Sequence, residues 1–452
     1  MPSRFNVAAD LPDGRKAVFN TFSTSLATVN TATWRGFLQA GAEYSPRGRL
    51  PGRTARLLHG KNFLVAKDVD ELDVLRLHYE MSRCAEDSLT VYIAPTLACN
   101  LRCSYCFVRP DRTLQPLKAM DRRTEDAVVR YVARQARGKK KVSISWYGGE
   151  PALGLRTIRR VSSLLAPAFE KAGVDCSMGL LTNGVLLDRK TWGMLRRSHV
   201  GYVQVTVDVP RALKRDRRGR DSLERALDGV ACAAGQADVE LRVNISRDSE
   251  REFNALYEGL LRRGLQKKLK ALVFSKVTRQ ERGPASSRRG FLQARDYVRI
   301  TARERAKAAS LGLPVETLSL RPPAACTSTR RTGMVIGPDG FLYKCPVDLG
   351  IRDRAYGSVF ESGVKLGNLL PWLAYDWFQH DECRRCPVLP QCAGGCPHRR
   401  LLQAHYLTRE EFCHWYLRGD LENRVREYAL MNESARASAR DRSDVAGLEF
   451  HG

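Results

Sequence analysis

The sequence predicts an α/β chain in which a six-stranded parallel sheet lies between a small α+β domain and a cysteine-rich one. Three observations carry this. Six short apolar or β-branched runs alternate with helical segments between residues 91 and 276, the pattern of strand–helix–strand crossovers. The 452 residues exceed what one core holds, so about three domains are expected. The 13 cysteines are mostly gathered into a triplet at 99–106 and a denser series from Cys326 to Cys413.

Residues 1–90 read as a small α+β unit, with "KAVFNTF", "TATWRGFLQAG" and "KNFLVAKDVDELDVLRLHYEMSR" as its pieces. In the last, an apolar run stops at Asp68, and Leu72, Leu75, Leu77 and Tyr79 follow at roughly helical spacing. A second unit, 91–310, contains the runs "VYIAP", "VSISWYGG", "CSMGLLTNG", "YVQVTVD", "VELRVNIS" and "KALVFSKV". Between them come helical stretches such as "TEDAVVRYVARQA", "LRTIRRVSSLLAPAFEKAG" and "DSLERALDGVACAAG". A polar connection at 279–290 leads into a further helix, "FLQARDYVRITARERAKAASLG". The cysteine-rich unit spans 311–432, and 433–452, opening with "ESARASARDRSDVAG", reads as a flexible tail. No internal repeat is present.

The formal net charge of +26 predicts attraction for acidic partners rather than any particular fold. Its basic runs are scattered, as on a solvated surface, whereas a nucleic-acid footprint would gather on one face. No stretch approaches the ~20 apolar residues of a membrane span, and the first residues lack a secretory signal. A cytoplasmic protein is expected. Clustered cysteines in a reducing compartment point to metal rather than disulfides.

Cys99, Cys103 and Cys106 follow the first predicted sheet strand, at the end where open parallel sheets place their chemistry. Tetrahedral zinc would want a fourth ligand, and none is local. An iron–sulfur cube held by three thiolates leaves one iron open to a substrate or cofactor.

"CNLRCSYC" resembles the CxxxCxxC signature of the radical S-adenosylmethionine (radical SAM) superfamily, including the aromatic at Tyr105. Further matches follow in the family's order: "YGGEP" (147–151) resembles its GGEP motif, "LLTNG" (180–184) its third-strand segment, and "VQVTVDVP" (203–210) its SxDGP segment. In the last, Thr206 replaces the serine and Val209 the glycine. The resemblance implies a partial (β/α)6 TIM-like barrel and SAM contacts from Tyr105, Gly148, Gly149, Glu150, Asn183 and Thr206. Arg218, with Arg215 and Arg217 as competitors, is the candidate for the SAM carboxylate, since a guanidinium fork bonds both oxygens.

The second cluster runs Cys326, then Gly340 and Cys345, then Cys383-x2-Cys386-x5-Cys392-x3-Cys396, then Cys413. It resembles the seven-cysteine SPASM extension of radical SAM enzymes. By that family's interleaved wiring, Cys383, Cys386, Cys392 and Cys413 would hold one auxiliary 4Fe-4S cluster. Cys326, Cys345 and Cys396 would hold another, with an open iron or a non-cysteine ligand, because Thr332 stands where some relatives place a fourth cysteine. Cys84, Cys176 and Cys232 are left over, each expected to be a buried free thiol.

The resemblance implies reductive cleavage of SAM to a 5'-deoxyadenosyl radical that takes a hydrogen from an unactivated carbon. It extends to maturases of ribosomally made peptides, and the expected activity is cross-linking of a precursor peptide. The first 90 residues would offer a sheet edge to an acidic leader. A flavodoxin or ferredoxin would supply electrons. Sulfatase maturases, the alternative within the class, carry an Asp immediately after the GxxxxC cysteine. Pro346 stands there, and Asp348 is the nearest carboxylate and the only catalytic candidate. Outside the class, the alternative is a basic nucleic-acid-binding protein with zinc knuckles.

Overall fold

A computed structural model describes residues 1–39, 52–108, 119–209, 221–246, 249, 252–278, 292–316, 318, 324–402, 416–439 and 448–451. The chain opens with an antiparallel meander of β1 (Asn6–Asp10), β2 (Lys16–Asn20) and β3 (Leu26–Val29). Helices α1 (Thr31–Gln39), α2 (Gly52–Gly60) and α3 (Glu71–Cys84) follow. Asp70 starts α3 by accepting from the Leu72 amide, and the helix buries Leu75 and Tyr79 as its spacing predicts. The apolar run before it forms no strand. Phe63 and Leu64 instead pack with Val18, Ala27, Phe37 and Leu58.

Six parallel strands then run in sequence order across one sheet: β4 (Ser88–Ile93), β5 (Lys141–Trp146), β6 (Asp175–Thr182), β7 (Val200–Val209), β8 (Asp238–Ile245) and β9 (Ala271–Lys276). The register lines Ile93, Trp146, Leu180, Val203 and Val239 across it, each fully buried. The crossovers are α4 (Arg122–Gln135), α5 (Leu155–Lys171), α6 (Arg189–Arg197), α7 (Leu223–Ala233) and α8 (Phe253–Arg262). Their apolar faces bury Val128, Ile158, Leu195, Leu227 and Leu260 against that row, forming the main core. With α9 (Ala294–Ser310) after β9, this is the expected partial (β/α)6 barrel.

The cysteine-rich region continues the same sheet. β10 (Gly333–Ile336) pairs in parallel with β4, and β11 (Phe341–Tyr343) and β12 (Gly357–Ser358) add antiparallel. Gly340, at φ +80°, makes the turn between β10 and β11 that sends the chain back to Cys345. Thus the glycine of the GxxxxC spacing has a backbone reason.

The expected flexible tail is corrected for its described residues. A helix runs Tyr416–Ala439 and packs on β1, β2, β3 and α9. The fully buried Arg305 on α9 ties to it through Asp420 and Glu427, each at 2.8 Å. Beyond it, β13 (Leu448–His451) pairs antiparallel with β3, from Leu448↔Val29 to His451↔Leu26. An unpaired strand edge is a template for any extended segment, and here the chain supplies its own.

Candidate functional site

The loop after β4 carries Cys99, Cys103 and Cys106 and is held by the turn after β5. The Gly149 and Glu150 amides donate to the Thr96 and Ala98 carbonyls at 3.1 and 2.8 Å. A Cβ on Gly149 would overlap the carbonyls of Leu97 and Ala98, and one on Gly148, at φ +124°, that of Thr96. Two glycines are therefore what lets the turn close onto the cysteine loop.

Glu150 sits behind this contact, wholly buried. Its carboxylate accepts from the Thr182 hydroxyl at 2.6 Å, the Asn183 amide at 2.8 Å and the Ala152 amide at 3.1 Å. It thus joins the ends of β5 and β6 and does not line the cavity described below. Asn183 reaches the cysteine loop through the Asn100 side chain at 2.8 Å.

Tyr105 donates to both oxygens of Asp208, at 2.6 and 2.7 Å, and Asn244 donates to the Tyr105 oxygen at 2.9 Å. Burial first, then the Asp208 charge, holds the phenol well above its ordinary range, so it remains an O–H donor. The aromatic in the cysteine motif therefore anchors the loop to β7 and β8.

These elements enclose a cavity of about 380 Å³ at the carboxyl ends of the strands. All three cysteines open into it, with Tyr105, Gly148, Gly149, Asn183 and Thr206. Arg218 lies outside the described residues. Sequence reasoning missed Arg242, Asn244, Gln204 and Lys276, which also line the cavity. Their signal was present: Gln204, Thr206 and Asp208 alternate on β7 and register with Glu240, Arg242 and Asn244 on β8. Polar residues at every second position of an otherwise apolar parallel strand mark the inside of a barrel. Among the described residues, the cavity lining includes two cations and no carboxylate.

The second cluster lies beyond β11. Burial raises the Cys345 thiol well above its ordinary range, and Asp348, Cys396 and Cys326 add to the shift through their charges. Burial likewise raises Cys396, with Cys326 again contributing. These three residues, far apart in sequence, thus lie within electrostatic reach of one another. Cys383 and Cys386 share one turn, the Cys386 amide donating to the Cys383 carbonyl at 3.0 Å, and Cys386 and Cys392 pack against one apolar cluster. Cys413 lies outside the described residues. Of the three left-over thiols expected to be buried, Cys84 is exposed at the end of α3 and Cys176 and Cys232 are half-buried. Among the described residues no three His, Cys, Asp or Glu side chains converge on a single ion.

Asp348 is not in the cavity. It is 2 % exposed and held by Arg354 at 2.9 Å and His398 at 3.1 Å, while Pro346, two residues before it, lines the cavity wall.

A three-thiol loop drawn against a glycine turn, opening into a cavity at the strand ends, fits an iron–sulfur cluster with one iron left for a cofactor. Residues 93–245 match the family model described as the Radical SAM superfamily. The serine-type anaerobic sulfatase-maturating enzyme of Klebsiella aerogenes is 28% identical over 324 residues, 66% of this chain and 77% of its own. The cysteine-type enzyme of Clostridium perfringens is 22% identical over 343 residues, 68% and 88% of the two chains. Among solved structures, native anSMEcpe with bound AdoMet aligns with a TM-score of 0.55 at 19% identity, over 78% of this chain and 100% of that one. That likeness shows the fold. Residues 93–245 are thus a radical SAM domain, and the chain is an enzyme whose cofactors are SAM and 4Fe-4S clusters. Among the described residues, no helix is long and apolar enough to cross a membrane.

Proposed function

We propose that this enzyme matures a ribosomally made precursor peptide in the cytoplasm, installing an intramolecular cross-link from an unactivated carbon to a second carbon or a heteroatom. Cys99, Cys103 and Cys106 would hold the SAM-binding cluster, and SAM bound there supplies a hydrogen-abstracting radical. The backbone of Gly148 and Gly149, with Asn183 and Thr206, would orient it, and Arg218 is the candidate for its carboxylate. Glu150 acts at one remove, fixing the turn and the Asn183 amide. Tyr105, pinned by Asp208 and Asn244, keeps the cysteine loop over the cavity. Cys383, Cys386, Cys392 and Cys413 would hold one auxiliary cluster, and Cys326, Cys345 and Cys396 the other.

The observation that carries cross-linking is the cavity lining. Oxidation of a serine or cysteine side chain to an aldehyde needs a base, for which sulfatase maturases use the Asp after the GxxxxC cysteine. Pro346 occupies that place here, and no carboxylate lines the cavity among the described residues. A peptide substrate is supported by anSMEcpe, whose structure has also been solved with the Kp18Cys peptide. The basic surface suits an acidic leader and an acidic electron donor such as flavodoxin or ferredoxin.

The second reading, a sulfatase-maturase type of side-chain oxidation, is favoured by the two sulfatase-maturating relatives. Mass spectrometry of a co-expressed candidate precursor separates the two. Cross-linking gives loss of two hydrogens with no fragmentation between the joined residues and no reaction with a hydrazide. A hydrazide-reactive aldehyde at a single serine or cysteine would overturn the cross-linking proposal.

A further inference from the structure

We propose that His398 is the fourth protein ligand of the auxiliary cluster held by Cys326, Cys345 and Cys396, binding through Nδ1. The inference rests on reading those three cysteines as a cluster set. It concerns the position where that set is one thiolate short.

Thr332 stands six residues after Cys326 and does not fill the place: its hydroxyl donates to the Ala85 carbonyl at 3.2 Å. His398 stands two residues after Cys396, in the first turn of the helix Pro397–Leu402. It is 1 % exposed. Its Nε2 meets Asp348 Oδ1 at 3.1 Å, and Asp348 is itself on the turn that starts at Cys345, its amide donating to the Cys345 carbonyl. The imidazole thus bridges the two segments that carry Cys345 and Cys396.

Its other nitrogen is the informative atom. Nδ1 is buried and has no hydrogen-bond partner. In the neutral imidazole with Nε2–H donating to the Asp348 carboxylate, Nδ1 carries the lone pair, and a buried acceptor with no donor is unfavourable. A ring nitrogen held by a carboxylate while the other bears a free lone pair is the arrangement of a metal-ligating histidine, in which the carboxylate fixes the tautomer and raises the ligand's basicity. The neighbouring polar groups are less suited. Lys344 is a cation engaged with the Arg330 and Gly333 carbonyls, and Asp348 is taken by Arg354 and His398. Ser328, whose hydroxyl lies 3.2 Å from the Cys326 sulfur, offers a harder oxygen.

Ligation by His398 closes the cluster. It would then pass electrons rather than bind substrate, at a higher potential than a four-thiolate cluster, because a neutral imidazole replaces an anionic thiolate.

The test uses full-length chain reconstituted anaerobically, with Cys99, Cys103 and Cys106 all changed to Ala so that only auxiliary clusters remain. Pulsed EPR of protein carrying 15N-histidine should show one strongly coupled nitrogen on a reduced cluster. His398→Ala should lose that coupling, and His398→Cys should restore a full iron complement at a lower midpoint potential. Two auxiliary clusters by iron and sulfide content, with no directly coupled nitrogen in the unmutated His398 protein, overturn the ligand assignment alone. Iron for one cluster only, or zinc without sulfide, overturns the three-cysteine reading and the ligand with it.

Discussion

Glu150→Gln tests whether a buried carboxylate, rather than the cavity lining alone, organises the SAM end of the barrel. The wild-type group accepts three hydrogen bonds, two on Oε1 from Thr182 and Ala152 and one on Oε2 from Asn183. Glutamine is nearly isosteric, but its amide nitrogen must face one of these donors. Placed at Oε2 it opposes the Asn183 N–H, and an unsatisfied buried donor costs about 1 to 3 kcal/mol. The other two bonds fall from charge-assisted to neutral strength, about 1 kcal/mol each. The sum is about 3 to 5 kcal/mol. For a unit of about 200 residues, each kcal/mol moves the melting temperature by about 2 to 4 °C, so a drop of about 6 to 20 °C is expected in anaerobic thermal melts. Displacing the Asn183 amide should also weaken SAM binding by about tenfold, the equivalent of about 1.4 kcal/mol, read by equilibrium dialysis. A variant that melts within about 2 °C of wild type and binds SAM normally would refute the positioning role.

Gly149→Ala should cost about 1 to 3 kcal/mol, since the added methyl displaces the Leu97 and Ala98 carbonyls, and should lower iron content at the first cluster specifically. Arg305→Met leaves the buried Asp420 with Arg424 as its remaining cation and breaks the tie to Glu427, so about 1 to 3 kcal/mol is lost and the helix Tyr416–Ala439 should become sensitive to limited proteolysis; unchanged cleavage would contradict the packing. Deleting residues 448–452 should speed hydrogen exchange at the amides of Leu26–Val29 that face β13 and leave those of β4–β9 unaffected.

The barrel was readable because its strands are fully buried. Each appears as a short apolar run, and each crossover shows a helical stripe, so alternation alone specifies parallel pairing. The cysteine triplet was readable for a different reason: a ligand loop needs fixed local spacing. What sequence did not reveal depends on contacts between distant segments. Nothing in "GMVIGPDGFLYKC" says that Gly333–Ile336 pairs with Ser88–Ile93, so the cysteine-rich region looked separable from the barrel when its hairpin extends the same sheet. Nor does a polar tail announce that Leu448–His451 completes the first sheet. Glu150 was legible as part of a motif, but not as a residue facing away from the cavity, since its role is set by Thr182 and Asn183, 32 and 33 residues on.

The segment from Cys345 to Asp348 ties the two metal regions together. Over four residues the chain presents Cys345 to Cys326 and Cys396, Pro346 to the cavity, and Asp348 to His398. The position used as a base in sulfatase maturases is thereby a rigid apolar wall, which holds φ fixed and offers no acceptor. The nearby carboxylate is turned away and neutralised by Arg354, so it cannot take the base's place without breaking a buried ion pair. An auxiliary cluster at Cys345 would then lie one residue from the substrate cavity, close enough to take up the electron that remains once a bond has formed to a carbon radical. Either product would hand an adjoining cluster one electron, so the weight for the proposed cross-link rests on the cavity lining, which supplies cations and no carboxylate among its described residues.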